Sequence, residues 1–125
     1  MPSANKMTTP VAVELPEIQG RYAGLDGYTV GFESYREDVD PAPLFAGLPG
    51  DRCQCPHWGF VVQGQLTTTD AGGTQETVRA DDLFYWPPGH NVRVDADAEV
   101  IMFSPQHEHS RVIDHMIAKT KAQPD

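Results

Sequence analysis

Positive charge is scarce in this 125-residue chain: 9 lysines and arginines stand against 18 aspartates and glutamates, a formal net charge of -9. That balance repels phosphate backbones and anionic lipid head groups, so neither nucleic acid nor a membrane surface is expected as a partner. Cysteine is nearly absent as well. Cys53 and Cys55 are too few for a secreted disulfide scaffold, and a bridge across one intervening residue is sterically poor. Reduced thiols and a cytoplasmic setting are the expectation. No apolar run approaches the roughly 20 residues of a membrane helix, and the opening MPSANKMTTP has no apolar secretion core. Charged residues make up only 22% of the chain, which excludes an acidic disordered tail and a coiled coil. The length is that of one domain.

What the chain does have is turn formers, 11 glycines and 11 prolines, which imply short elements joined by tight reversals. Residues 1–10 carry no periodicity and read as a loose tail; residues 11–125 read as one domain. Val11 to Gly27 holds edge strands and turns. In Tyr28 to Tyr35 the apolar Tyr28, Val30 and Phe32 alternate with Thr29, Gly31 and Glu33, the period of a strand with one buried face. After a Pro-rich connector, Trp58 to Thr69 (WGFVVQGQLTTT) is a strand rich in aromatic and β-branched residues, closed by the turn Asp70-Ala-Gly-Gly73. Thr74 to Arg79 returns as the second arm of the hairpin, Leu83 to Trp86 forms another strand, and Pro87-Pro88-Gly89 reverses the chain. Val92 to Val94 and Glu99 to Phe103 read as a further pair of strands. The barrel ends near residue 104. Val112, Ile113, Met116 and Ile117 then recur at helical spacing, which predicts one amphipathic helix over residues 105–121. The pattern is that of an all-β barrel or jelly roll with a C-terminal α-helix.

Two stretches carry the chemistry. Gly50-Asp-Arg-Cys-Gln-Cys-Pro-His-Trp-Gly-Phe-Val-Val-Gln-Gly64 is followed by Asp81-Asp-Leu-Phe-Tyr-Trp-Pro-Pro-Gly-His90, and together they resemble the two motifs of the cupin superfamily. The resemblance covers residues 45–104 and implies the cupin double-stranded β-helix. In cupins two histidines, a glutamate and a final histidine hold one metal ion inside the barrel. By that alignment His57 stands at the glutamate position, Cys53 and Asp51 at the first two histidines, and Val92 at the last, two residues beyond His90.

Side chains two residues apart on a strand share a face, so an unbroken strand would aim Asp51, Cys53, Cys55 and His57 inward together. His90 shares parity with Val92. Candidate ligands of zinc or iron are therefore His57, His90 and Cys53 or Cys55, completed by Asp51. The two cysteines are equally explained as buried packing, and His57 as a hydrogen-bonded core imidazole. Tyr85 is the aromatic candidate for a ligand pocket, and Gln63, with the parity of His57, is a candidate for orienting a polar ligand. Trp58 and Phe60 fall on the opposite face. His107, His109 and His115 are assigned to a solvated or capping role on the helix.

The resemblance implies a metal-dependent enzyme of oxygenase, isomerase, cyclase or lyase type acting on a small organic molecule, with His57 as ligand or acid/base. The alternative is a metal-free cupin that binds a small molecule without converting it. A homodimer is expected from short edge strands and from the apolar helix face.

Overall fold

A computed structural model describes residues 2–122. The strands are β1 (Val11–Glu14), β2 (Ile18–Leu25), β3 (Tyr28–Tyr35), β4 (His57–Thr69), β5 (Gln75–Arg79), β6 (Leu83–Trp86) and β7 (Asn91–Pro105), followed by one helix, α1 (Gln106–Ala122). All pair antiparallel in the order β1-β2-β3-β7-β4-β5, with β6 also on β4. The all-β architecture with one C-terminal helix is therefore as the sequence implied. No described helix is long and apolar enough to cross a membrane.

The long strands β4 and β7 carry the barrel. One edge of β4 is shared by β6, which pairs with His57 to Phe60, and by β5, which pairs with Gln65 to Thr69. Its other edge runs along β7 from Trp58 to Thr69. Between these halves the register shifts at Val61, Gln63 and Gln65. Gly64 sits in this bulge at φ 91, and a Cβ there would come within 2.2 Å of the Asp97 carbonyl oxygen, so only glycine fits. The bulge also changes which residues face inward. Before it the buried positions His57 and Val61 alternate, whereas beyond it Leu66, Thr67 and Thr68 are all buried and the alternation is lost.

Strand β7 is one element of 15 residues, not the two short strands expected. The polar run Asp95 to Glu99 does not interrupt it, because the backbone ladder continues and Asp95 accepts hydrogen bonds from Thr67 Oγ1 (2.6 Å) and Gln65 Nε2 (3.3 Å) on β4. The N-terminal segment is more ordered than a loose tail. Asn5 caps a single 3-10 turn at Lys6–Thr8, Thr9 is buried, and Lys6 pairs with Glu99 at 3.1 Å.

Strand β3 buries Thr29, Val30, Gly31 and Glu33. The apolar set Val30 and Phe32 pairs across the other face with Phe103 and Ile101 of β7. That outer face continues over β4 and β6 through Trp58 and Tyr85, whose rings stand 5.0 Å apart, to Leu83, 81% exposed. Helix α1 turns Val112 and Met116 inward, into a cluster with Leu44, Phe45, Cys53 and Cys55. Of the four helix residues named for the dimer expectation, Val112 and Met116 are thus buried in the chain's own core, while Ile113 and Ile117 stay half-buried. The helix is tied down by His115 Nε2, 2.8 Å from the Ala46 carbonyl oxygen, and by Gln106 N donating to Gly27 O.

Candidate metal centre

Beneath α1 lies a cavity of about 50 Å³. Its lining includes Cys53, His57, Trp86, His90, Glu33 and His109, with Phe45, Met102, Val112 and Met116 as apolar wall. Chain geometry delivers three of these from different elements. Pro56 ends the irregular connector, and β4 begins at His57, whose partner on β6 is Trp86. After β6 the Pro87-Pro88-Gly89 reversal brings His90 beside Cys53, where an isolated antiparallel bridge holds them: Cys53 N donates to His90 O at 3.3 Å and Gly89 N to Cys53 O at 2.8 Å.

One potential ligand atom from each of Cys53, His57 and His90 lies within 4.8 Å of the other two. Cys53 Sγ and His57 Nε2 are 3.6 Å apart. Donor atoms around a tetrahedral zinc stand about 3.3–3.8 Å apart, given its usual bond lengths, so the spacing suits such an ion. Both imidazoles are oriented from behind. His90 Nδ1 lies 2.6 Å from the Pro87 carbonyl oxygen, which can only accept, so Nδ1 carries the proton and Nε2 keeps its lone pair. His57 Nδ1 is 2.6 Å from Ser104 Oγ, which leaves its Nε2 toward the thiol. A histidine ligand whose second nitrogen is engaged by a carbonyl or hydroxyl is the usual arrangement in metal sites.

Burial sets the protonation states. It pushes the Cys53 and Cys55 thiols up to about 12, so both are neutral without an ion. Burial also holds His90 and His109 down at about 4, and burial together with His90 and His109 holds His57 well below the ordinary imidazole range. The cluster is a thiol and neutral imidazoles, ready to accept a cation once the thiol loses its proton.

The remaining expected site residues lie elsewhere. Asp51 is exposed and accepts from Gly47 N at 2.9 Å. Cys55 is fully buried but directs its thiol to the Pro56 carbonyl oxygen at 3.4 Å and packs in the α1 cluster. Both misplacements have one cause: the parity argument needed a continuous strand before His57, and the chain there is a 3-10 turn and a proline-bounded loop. Tyr85 faces outward, 48% exposed against Trp58, because its cross-strand partner is Trp58 and not His57. Gln63, adjoining the bulge, is exposed and lines an outer groove with Arg36, Asp97 and Glu99. Val92, at the motif's final position, does line the cavity.

Two cavity groups were not anticipated. Glu33 is 7% exposed and accepts hydrogen bonds from both Tyr22 Oη and Tyr35 Oη. His109 is buried against Tyr22, ring centroids 4.5 Å apart, and 6.2 Å from the His57 ring. Its spacing from Val112 and Met116 put it on the apolar stripe of the helix, which was the available signal. Nothing local singled out Glu33.

No protein-family model matches the sequence, and no curated protein matches it. Solved structures do resemble it. A RmlC-like cupin from Shewanella frigidimarina matches with 15% identity and TM-score 0.58, over 82% of this chain and 88% of that one. Ectoine synthase from P. lautus matches with 10% identity and TM-score 0.56, over 79% and 75%. The iron(II) form of HppE matches with 8% identity and TM-score 0.62, over 83% of this chain and 60% of that one. The fold is the cupin fold. Within it, a buried Cys53, His57 and His90 cluster has the composition and spacing to hold a metal ion.

Proposed function

We propose that this chain is a metal-dependent cupin enzyme acting on a small organic molecule, with Cys53, His57 and His90 holding one zinc or iron ion. The observation that carries the reading is the convergence of a thiol and two imidazoles, with the Nδ1 atoms of both rings engaged from behind by Ser104 and the Pro87 carbonyl. When bound, such an ion polarises a ligand oxygen as a Lewis acid. The chain supplies the rest: Cys53 releases its proton on loading, Ser104 and Pro87 fix the rings, and α1 with Phe45 and Met102 excludes bulk water. The neighbours named ectoine synthase and iron(II) HppE show that the fold accommodates enzymes, an argument by analogy only.

A second reading, a non-catalytic cupin, draws on the cavity size: about 50 Å³ holds roughly three to five waters. Metal analysis of tag-free protein separates the two. The expected result is close to one equivalent of zinc or iron after supplementation, and Cys53→Ser or His90→Ala lowers that affinity by more than about 100-fold. Less than about a tenth of an equivalent, unchanged by supplementation, sinks the metal enzyme and leaves the non-catalytic reading.

A further inference from the structure

The metal reading gives no role to two buried polar groups of the cavity, His109 and Glu33, and Glu33 is the less comfortable of the two. Glu33, from β3, is a buried carboxyl with no lysine or arginine anywhere in the cavity lining. The ion pairs among the described residues, Lys6 with Glu99 and Arg93 with Asp95, involve none of the lining except through neighbouring strands. Burying an uncompensated charge is costly, so a carboxyl in this position needs a reason. Among the described residues its side-chain hydrogen-bond partners are the hydroxyls of Tyr22, from β2, and Tyr35, from β3, one on each oxygen. Every other titratable group facing the cavity is a potential ligand or a neutral imidazole: Cys53 from the connector, His57 from β4, His90 from the loop before β7, and His109 from α1.

The geometry points to Glu33 as the acid/base of the cavity, passing a proton to and from a small anionic or carbonyl-bearing ligand of a few non-hydrogen atoms, beside the Cys53, His57 and His90 cluster. This rests on the metal reading above. The step is a plain proton transfer. The O–H bond of the Glu33 carboxyl breaks, a bond forms between that hydrogen and an oxygen or nitrogen of the ligand, and the electron pair stays on the carboxylate. There both tyrosine hydroxyls donate to it, which stabilises the charge at the moment it forms. Burial raises the Glu33 carboxyl above its ordinary range, and the two tyrosine hydrogen bonds oppose that shift by favouring the carboxylate. Charge balance couples the proton to the ligand. A divalent ion with the Cys53 thiolate leaves one positive charge, which a monoanion cancels only while Glu33 is protonated.

The test uses cobalt(II) as a spectroscopic replacement for the ion and azide as the anion probe, titrated across pH with the wild-type chain and Glu33→Gln. Wild-type azide affinity is expected to fall tenfold per pH unit above the Glu33 transition, the mark of one proton taken up with the anion. In E33Q the affinity is flat with pH. Tyr35→Phe, which keeps Glu33 but removes one donor, moves the wild-type transition to higher pH and covers the case in which E33Q fails to fold. If cobalt binds but the slope persists in E33Q, or the Tyr35→Phe transition does not move, the acid/base role is overturned while the metal centre stands. If the wild-type chain binds no cobalt, both are overturned.

Discussion

Around and beyond the bulge at Gly64 the barrel is filled by Val61, Leu66, Val78, Val94 and Val100, all nearly inaccessible. At the end under α1 the same two long strands, β4 and β7, contribute His57 and Ser104, and the surrounding elements add His90, His109, Cys53 and Glu33. The aliphatic end is built from strands alone, whereas the polar end also draws on the connector that carries Cys53 and on helix α1. The aliphatic end gains free energy by removing apolar area from water, about 25 cal/mol per Å², and asks for nothing else. The polar end is stable only while each buried group keeps its protonation state and its partner. One end holds the fold, and the other draws on that stability to keep ionisable groups dry.

Acid should open the largest gap between the ends. His57, His90 and His109 are held below the roughly 6.5 of an unfolded histidine, the last two at about 4. Between these values the unfolded chain binds protons that the folded chain refuses, so stability is lost as pH falls from about 6.5 to about 4. Glu33, held above its ordinary range, works in the opposite sense by losing stability as pH rises, but one carboxyl faces three imidazoles. The metal-free chain should lose on the order of 3–6 kcal/mol across this window, at about 1.4 kcal/mol per tenfold. Urea titrations at several pH values measure it; a flat profile would show that the imidazoles open to water without unfolding.

Next in size is the aliphatic end. Leu66→Ala should cost about 2–5 kcal/mol, because a fully buried side chain leaves a cavity among rigid strands. Cobalt affinity measured under folding conditions should stay within about threefold, since Leu66 lies on the far side of the bulge from His57. A large loss of affinity would erase the distinction between the ends. The smallest effect belongs to the outer face: Tyr85→Ala removes a ring that touches Trp58 and should change stability by about 1 kcal/mol or less, with cobalt affinity unaltered.

These contrasts also explain what could be read in the sequence. Gly64 and the Pro87-Pro88-Gly89 reversal constrain backbone, and backbone constraints are local, so the motif spacing located the barrel and pointed to His57; His90 came from its parity with Val92, and the structure brings both rings to one cluster with Cys53. Cys53 was found for a partly accidental reason: it reaches the site through its bridge with His90, not through strand parity. The same parity failed for Asp51 and Cys55, where no strand exists, and for Gln63, where a bulge intervenes. Glu33 and His109 are 24 and more residues from His57 in sequence, and only tertiary closure brings them together. On β3 the expected apolar face is buried only in part: Val30 is, Phe32 is half-buried and Tyr28 is exposed.

The paired backbone hydrogen bonds between Cys53 and the Gly89-His90 segment have a mechanical consequence. Two of the three residues proposed to hold the ion, Cys53 and His90, are joined by this bridge, while His57 belongs to the β4 ladder. The site therefore has essentially one soft degree of freedom, the gap between bridge and ladder, read in the 3.6 Å from Cys53 Sγ to His57 Nε2. On the metal reading, any preference between ions of different radius would be set by how far that gap can stretch.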